Sequence, residues 1–407
     1  MAKLTVHDID LQGKRVLTRV DYNVPMSEQN DTMVINDDTR IRATLPTLKT
    51  MINEGAKIIL AAHLGRPKGV REPSMSLRPV AEKLAELIGQ PVTFCEHCVG
   101  NSVTETVDEL EEGGLLLLEN VRYHTEEIDN DTAFAEQLAT IADVYVNDAF
   151  GAAHRAHAST VGVAKVIAAR GGPCAAGLLM ERELQFLGDE LADPSRPFVV
   201  ILGGAKVSDK IKVINRLLEK ADSILIGGAM AYTFMLAMDL TVGKSLVEPD
   251  AVDVARAALD KASERNVQFL IPNDHIVTTL GMTDQFENHR VSDSGNIPND
   301  VGGVDIGPKT TAEFSNVIAN AKTILWNGPM GIFEDARFAQ GTFGVAKAVA
   351  EATRNGAKSI IGGGDSVKAL IMAGLGEQVT FMSTGGGASL EFLEGIELPG
   401  VASLTDK

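Results

Sequence analysis

The feature that most constrains this chain is a series of short apolar runs that do not alternate with polar residues. Arg15–Val20, Lys57–Ala62, Leu115–Glu119 and Asp143–Asn147 lie in the first half. Phe198–Leu202, Ser223–Ile226, Val267–Ile271, Thr323–Trp326, Ser359–Ile361 and Val379–Met382 lie in the second. A strand with one wet face alternates, whereas these runs are leucine-rich or β-branched at successive positions, the pattern of parallel strands covered on both faces. Amphipathic stretches such as Leu77–Ile88 and Val252–Glu264 separate them. Strand and helix in repeated succession predict an α/β chain with a doubly wound parallel sheet, formed twice.

Two sheets imply a boundary. The 407 residues, 44% of them hydrophobic, exceed what one ordinary core accommodates. Gly171-Gly172-Pro173 breaks the chain, Leu178–Leu187 reads as a helix, and Ala192-Asp193-Pro194-Ser195 breaks it again. The expected division is therefore a first domain over 1–175, an interdomain helix over 176–190 and a second domain over 191–388.

The formal net charge of -18 argues against nucleic acid and anionic membranes as partners. An anionic substrate would oblige the chain to gather its few cations locally. Three cysteines predict a reducing compartment without a disulfide framework. Cys95, His97 and Cys98 lie close together, but a zinc knuckle needs a second ligand pair, and Cys174 is isolated. They are read as incidental thiols with no assigned role. The segment MAKLTVHDIDLQGK has no apolar signal-peptide core, and the uncharged stretch Ser223–Met238 is too short to span a membrane. A cytoplasmic protein is expected.

In open parallel sheets, ligands bind beyond the carboxyl ends of the strands, so the residues that follow each run carry the argument. In the first half these are Asp21-Tyr22-Asn23, His63-Leu64-Gly65-Arg66, Asn120-Val121-Arg122-Tyr123-His124 and Asp148-Ala149-Phe150 followed by His154-Arg155-Ala156-His157, with Arg40 nearby in sequence to the first. A lone arginine more often pairs with a surface acid. Arginines at successive strand ends instead predict a cationic bowl, because the guanidinium fork binds phosphate and carboxylate bidentately. In the second half the strand ends are Gly203-Gly204-Ala205-Lys206, with Lys210 one helical turn on, then Gly227-Gly228, Asn327-Gly328-Pro329, Gly362-Gly363-Gly364-Asp365-Ser366 and Ser383-Thr384-Gly385-Gly386-Gly387. One Gly-Gly pair merely permits close packing. The repetition predicts backbone amides and helix starts facing phosphates, with Asp365 as a Mg²⁺ ligand.

Two other motifs fail. Val242-Gly243-Lys244-Ser245 ends like a Walker A loop, but Met238 stands where its first glycine belongs. No G-x-G-x-x-G follows the first strand of either half, which argues against a nicotinamide dehydrogenase.

Taken together, RVDYNVP (19–25), HLGRP (63–67), LLENVRYHTEE (117–127), NDAFGAAHRAHAST (147–160), GGAKVSDK (203–210), WNGPMGIFE (326–334), GGGD (362–365) and STGGGA (383–388) resemble the phosphoglycerate kinases. The resemblance spans nearly the whole chain. It implies two Rossmann-like domains joined by a hinge helix, with 389–407 returning to the first domain. It implies reversible phosphoryl transfer between ATP and 3-phosphoglycerate, with Mg²⁺, in a monomer. By the same resemblance Asp21, Tyr22, Asn23, Arg40, His63, Leu64, Gly65, Arg66, Arg122 and Arg155 hold the phosphoglycerate. Lys206, Lys210, Gly227, Gly228, Glu334, Gly363, Gly364, Asp365, Ser366 and Gly387 hold the nucleotide. Arg40, Lys206 and Lys210 are the expected catalytic residues. A non-catalytic nucleotide sensor on the same fold is the alternative, and the presence of Arg40, Lys206 and Asp365 argues against it.

Overall fold

The computed structural model describes residues 2–30, 32–279 and 287–407. They form two compact units. The first holds the chain up to Asp189 together with Ile396–Lys407; the second is Glu190–Gly395.

The first unit is built on β1 (Arg15–Val20), β2 (Lys57–Ala61), β3 (Val92–Cys95), β4 (Leu115–Leu118), β5 (Val144–Asp148) and β6 (Cys174–Ala176). They form one sheet in the order β3-β4-β2-β1-β5-β6, parallel at every pairing. β1 is central, and the order reverses around it. Val16, Val20, Ile58, Leu60, Leu115, Leu117, Val144 and Val146 pack one face of the core, with helix residues Ile41, Leu48, Val80 and Leu84 against them. The sequence reading missed β3 and β6, both at sheet edges. β3 is partly exposed, and Cys-Ala-Ala of β6 contains no β-branched residue.

The second unit repeats the design with β7 (Phe198–Leu202), β8 (Ser223–Ile226), β9 (Gln268–Leu270), β10 (Thr323–Asn327), β11 (Lys358–Gly362) and β12 (Phe381–Met382). The order is β9-β8-β7-β10-β11-β12, again parallel throughout. Here β7 is the strand around which the order reverses. Trp326, fully buried, packs with Val199, Ile201, Ile324, Phe314 and Val349.

Three features differ from the sequence expectation. A small antiparallel sheet of His275–Thr279, Glu287–Ser292 and Gly302–Ile306 was not foreseen, because two of its three short strands are rich in Gly, Asn and charge. The expected return of 389–407 begins only at Ile396. The helix Gly387–Leu393 continues from β12 and buries Leu393 within the second unit. From there Gly400 N–H donates to Ala153 O (2.8 Å), Thr405 N–H to Cys174 O (2.9 Å) and Lys407 N–H to Ala2 O (2.9 Å), tying the C-terminal segment to the first unit. The helix expected over Leu178–Leu187 is α-helical for Leu178–Glu183 and then widens to π-helical over Leu184–Asp189. Its first turn is held by Asp148, whose Oδ1 accepts from the N–H groups of Leu179 (2.9 Å) and Met180 (3.2 Å).

The fold gives Asp274 a structural role. This fully buried carboxylate accepts from Lys309 N–H (2.9 Å), Thr310 N–H (2.8 Å) and Thr310 Oγ1 (2.6 Å). It thereby satisfies the otherwise orphaned first amides of helix Pro308–Ala319. Asp274→Ala is expected to destabilise the protein by about 1–3 kcal/mol, since buried donors lose their acceptor. A urea melt of wild type and variant measures this.

Candidate active site

Within the first unit, the crevice lies beyond the carboxyl end of β1, between β2 and β5. Asp21 and Asn23 emerge directly from β1, and Arg40 reaches them from the first turn of helix Thr39–Asn53. Its Nη1 donates to Asp21 Oδ1 at 3.0 Å and to Asn23 O at 3.1 Å. Asn23 Oδ1 accepts from Gly65 N–H at 2.9 Å, and Arg122 Nη1 donates to Gly65 O at 2.9 Å. Gly65 has φ +63°, a conformation a side chain disfavours, and a Cβ there would meet Met75. The loops after β1, β2 and β4 are thus locked to one another through backbone groups.

Arg66 and Arg155 are exposed, and neither side chain has a hydrogen bond or ion pair among the described residues. Arg122 Nε is buried without a partner. Burial, then the charges of Arg19 and Arg66, draw the Arg122 guanidinium below its ordinary pKa. This mutual repulsion shows the cations to be gathered in one field, a locally positive site on an acidic chain.

The sequence reading missed the group beneath them. Arg19, 1% exposed, sits near the end of β1 between Thr18 and Val20, and it was read as part of the strand. Its Nε donates to Ser159 Oγ (2.8 Å), and Ser159 donates through Oγ (2.6 Å) and N–H (2.8 Å) to buried Glu127. Burial raises the Glu127 pKa, while Arg19 opposes that shift. Arg19 Nη2 also contacts His63 Nδ1 at 3.0 Å. A guanidinium only donates, so His63 accepts at Nδ1 and carries its proton on Nε2. Burial, with Arg19, Arg122 and Arg40 around it, holds His63 well below the usual histidine pKa. Burial and the same arginine field lower His157 to about 4. Both rings are neutral at pH 7, so the positive charge of this site belongs to the arginines. The one available signal for Arg19 was a charged residue inside a strand apolar on both faces.

Two expected substrate residues turn inward. Tyr22 is fully buried in the core, its hydroxyl paired with Thr44 Oγ1 at 2.9 Å. Leu64 is 4% exposed, and Asn120 binds its backbone through N–H (3.2 Å) and C=O (2.7 Å). They alternate with the polar residues around them, so their side chains anchor the loops instead of lining the crevice.

In the second unit, a cleft of about 360 Å³ lies beyond β7, β8 and β10. Gly204, Gly228, Gly303, Pro329 and Gly331 form backbone walls, Tyr232, Leu246, Val304, Ile332 and Phe333 an apolar surface, and Glu334 and Asp365 its acidic members. Interlocking loops explain several of its glycines. A Cβ on Gly203 would strike Pro329 O, and one on Gly228 (φ +67°) would strike Gly204. Gly227 packs against Met330 and does not line the cleft, so its glycine serves packing alone.

Lys206 is exposed, with no hydrogen bond or ion pair among the described residues. Lys210 donates to Asn327 O at 2.9 Å and to Asn327 Oδ1. Burial lowers its pKa to about 8, and the charge of Asp365 opposes that shift. Gly363 (φ +83°) opens onto helix Gly364–Met372, whose first turn presents Gly364 and Asp365 to solvent. Ser366 departs from expectation. Its side chain is fully buried, and its hydroxyl accepts from Gly328 N–H at 2.5 Å, which leaves its backbone N–H as the group it can offer. Gly387 is exposed at the start of helix Gly387–Leu393.

Under the cleft floor lies Asp305, 1% exposed, whose carboxylate accepts from Gly341 N–H (2.7 Å) and Ile306 N–H (2.9 Å) and packs against Gly331.

An arginine field on one parallel-sheet unit and a glycine-walled cleft with lysines on another are the equipment of a phosphotransferase that works on small anionic molecules. A family model described as phosphoglycerate kinase matches residues 6–396. A phosphoglycerate kinase of Acidobacterium capsulatum is 53% identical, and one of Koribacter versatilis 52%, each over the full length of both chains. Among solved structures, the phosphoglycerate kinase from Coxiella burnetii is 38% identical with a TM-score of 0.87, covering 98% of each chain. That from Pyrococcus horikoshii OT3 is 32% identical with a TM-score of 0.82, also covering 98% of each. The chain belongs to the phosphoglycerate kinase family.

Burial pushes the Asp305 carboxyl up to about 8 against its two N–H donors. An acid raised in the folded state leaves stability intact below its unfolded pKa of about 3.9, and stability is lost as pH rises from there through the folded value. Relative to Asp305→Asn, the wild type is therefore expected to lose stability between about pH 5 and pH 8.5, by more than about 1 kcal/mol. Urea melts of both proteins at the two pH values test this.

Proposed function

We propose that the enzyme transfers the terminal phosphoryl of ATP to the carboxylate of 3-phosphoglycerate, reversibly, giving ADP and 1,3-bisphosphoglycerate. The observation that carries this reading is the set of arginines in the first unit whose donors the protein does not spend: Arg66 and Arg155 exposed and unpaired among the described residues, and Arg122 with a buried free Nε. Protein acids would occupy these groups if their role were stability. Left open, they suit a phosphate and a carboxylate on one small molecule.

The chemistry asks little else. A carboxylate is already an anionic nucleophile, so no general base is required, and neutral His63 and His157 fit that absence. Catalysis reduces to in-line placement and neutralisation of the moving phosphoryl. In this reading Arg122, Arg66 and Arg155 hold the phosphoglycerate, with Asp21 and Asn23 setting Arg40 and Gly65 in place. Arg40 neutralises charge from the acceptor side. Lys206 and Lys210 do so from the nucleotide side, and the amides of Gly363, Gly364, Asp365 and Ser366 face the phosphates. Glu334 accepts from the ribose hydroxyls. Asp365 makes no side-chain hydrogen bond or ion pair among the described residues and stands at a helix start. A single free carboxylate fits Mg²⁺, which takes most of its ligands from phosphates and water. When bound, the ion supplies further charge neutralisation. No helix among the described residues is long and apolar enough to cross a membrane.

Arg40→Ala is expected to lower kcat by roughly 10³-fold or more, the scale of an arginine that meets transition-state charge, while changing either KM far less. Arg122→Ala is expected chiefly to raise the phosphoglycerate KM. Steady-state kinetics of ATP-dependent 3-phosphoglycerate turnover, run in both directions, measure both. The reverse pattern would overturn this division of roles, and absence of turnover in the wild type would overturn the assignment.

The two ligands are assigned to separate compact units, and in-line transfer needs reacting oxygens about 3–3.5 Å apart. Hinge closure on binding follows, because only both ligands together supply the differential affinity that favours the closed form. Solution scattering is expected to give a smaller radius of gyration with 3-phosphoglycerate and a non-reacting nucleotide analogue together than with either alone. Equal radii in all states would rule this out.

A further inference from the structure

We propose that Glu127 is a positioning residue for the phosphoglycerate site, acting through Ser159 and Arg19 on His63. The proposal rests on the phosphoglycerate reading of the first unit. Glu127 is fully buried, so it acts on a ligand only through other groups. The guanidinium of Arg19 fixes every direction in the chain, because it only donates. Its Nε donates to Ser159 Oγ (2.8 Å), so the Ser159 hydroxyl spends its own proton on Glu127 Oε1 (2.6 Å). At the other end Nη2 donates to His63 Nδ1 (3.0 Å), which leaves Nε2–H as the proton His63 can offer a ligand. Glu127 Oε2 accepts from Ser159 N–H (2.8 Å), so both carboxylate oxygens are committed to this one serine. His157 Nδ1, 3.8 Å from Oε1, is beyond hydrogen-bond reach.

Two features separate this arrangement from a plain buried ion pair. The strong form of an arginine–carboxylate pair is bidentate, with two parallel hydrogen bonds. Here a serine stands between the two charges, and Arg19 spreads its donors over Ser159, Val20 O and His63. The second feature is where the links lie. Arg19 is two residues before Asp21, His63 three before Arg66, Glu127 five after Arg122 and Ser159 four after Arg155. One hydrogen-bonded chain thus ties together the bases of the four loops whose residues are assigned to the phosphoglycerate.

What the chain supplies is charge balance and direction. A buried guanidinium needs a counter-charge and an acceptor for each donor, and Glu127 provides the first while Ser159 provides one of the second. With Nε anchored, Nη2 stays on His63 Nδ1 and the imidazole keeps the tautomer that presents Nε2–H. Without the anchor, Arg19 is free to turn toward another acceptor and His63 to take the other tautomer. That tautomer presents a bare nitrogen lone pair, which repels an anionic ligand where the first attracts it.

Ser159→Ala removes the hydroxyl and keeps that residue's backbone bonds to Glu127 and to the Tyr145 hydroxyl (2.9 Å). Glu127→Gln removes the charge at nearly constant shape. Long-range nitrogen NMR of protein labelled at histidine reads the His63 tautomer, with His63→Gln assigning its signal, and steady-state kinetics give both KM values. Wild type is expected to show His63 protonated at Nε2. In Ser159→Ala an Nδ1-protonated fraction should appear. In both variants the phosphoglycerate KM should rise about ten-fold, the scale of one charge-assisted hydrogen bond, with the ATP KM unchanged. Wild-type His63 protonated at Nδ1 would overturn the proposal without any variant. So would a folded Ser159→Ala that keeps the wild-type tautomer, or folded variants that keep the wild-type KM or raise both KM values alike. Absence of 3-phosphoglycerate turnover in wild type would overturn the functional reading and the proposal with it, whereas turnover without the tautomer or KM change would overturn the proposal alone.

Discussion

Parallel pairing obliges every strand to be followed by a crossover, so all strands of a sheet end on the same edge. That constraint organises both halves of this molecule. In each, the order reverses around one central strand, β1 or β7, and the loops leaving it and its neighbours part to opposite faces. Residues far apart in sequence arrive together there: Asp21, Arg40, His63 and Arg122 in one unit, Gly204, Gly228, Pro329 and Asp365 in the other. The ligand crevices are a by-product of the topology, and the chain needs only to place suitable residue types after each strand.

The two crevices solve opposite electrostatic problems. The first concentrates positive charge in a chain of net charge -18. It does so over a buried base, Arg19 linked through Ser159 to Glu127, so the central guanidinium is compensated below the surface while Arg66 and Arg155 stay open above it. An uncompensated charge at that depth would cost several kcal/mol. Burial, together with the surrounding arginines, keeps His63 and His157 neutral. The second crevice uses little charge and much backbone. Its loops approach so closely that glycine is the residue that fits at several contacts, and those same contacts leave amides and a narrow apolar slot facing outward.

What escaped the sequence reading escaped for physical reasons. β3 and β6 are short edge strands, β3 partly exposed and β6 without a β-branched residue, and their composition does not distinguish them from loop. Tyr22, Leu64 and Ser366 stand within the site motifs but point inward, because neighbours in a tight loop alternate between core and crevice. Arg19 lies within a strand run, and only the pairing of β1 beside β2 and β5 sets it against His63 and Ser159.

The sequence by itself determined the class of fold, the central strands and the chemical character of each crevice, because burial on both faces and strand-end residue types are local properties that the chain writes directly. Which residues within a motif face a ligand, which glycines serve packing, where the C-terminal segment changes units and how a buried arginine is neutralised were decided by tertiary structure. Each depends on atoms brought together across tens to hundreds of residues, and the distances and burial that fix such contacts exist only once the chain has folded.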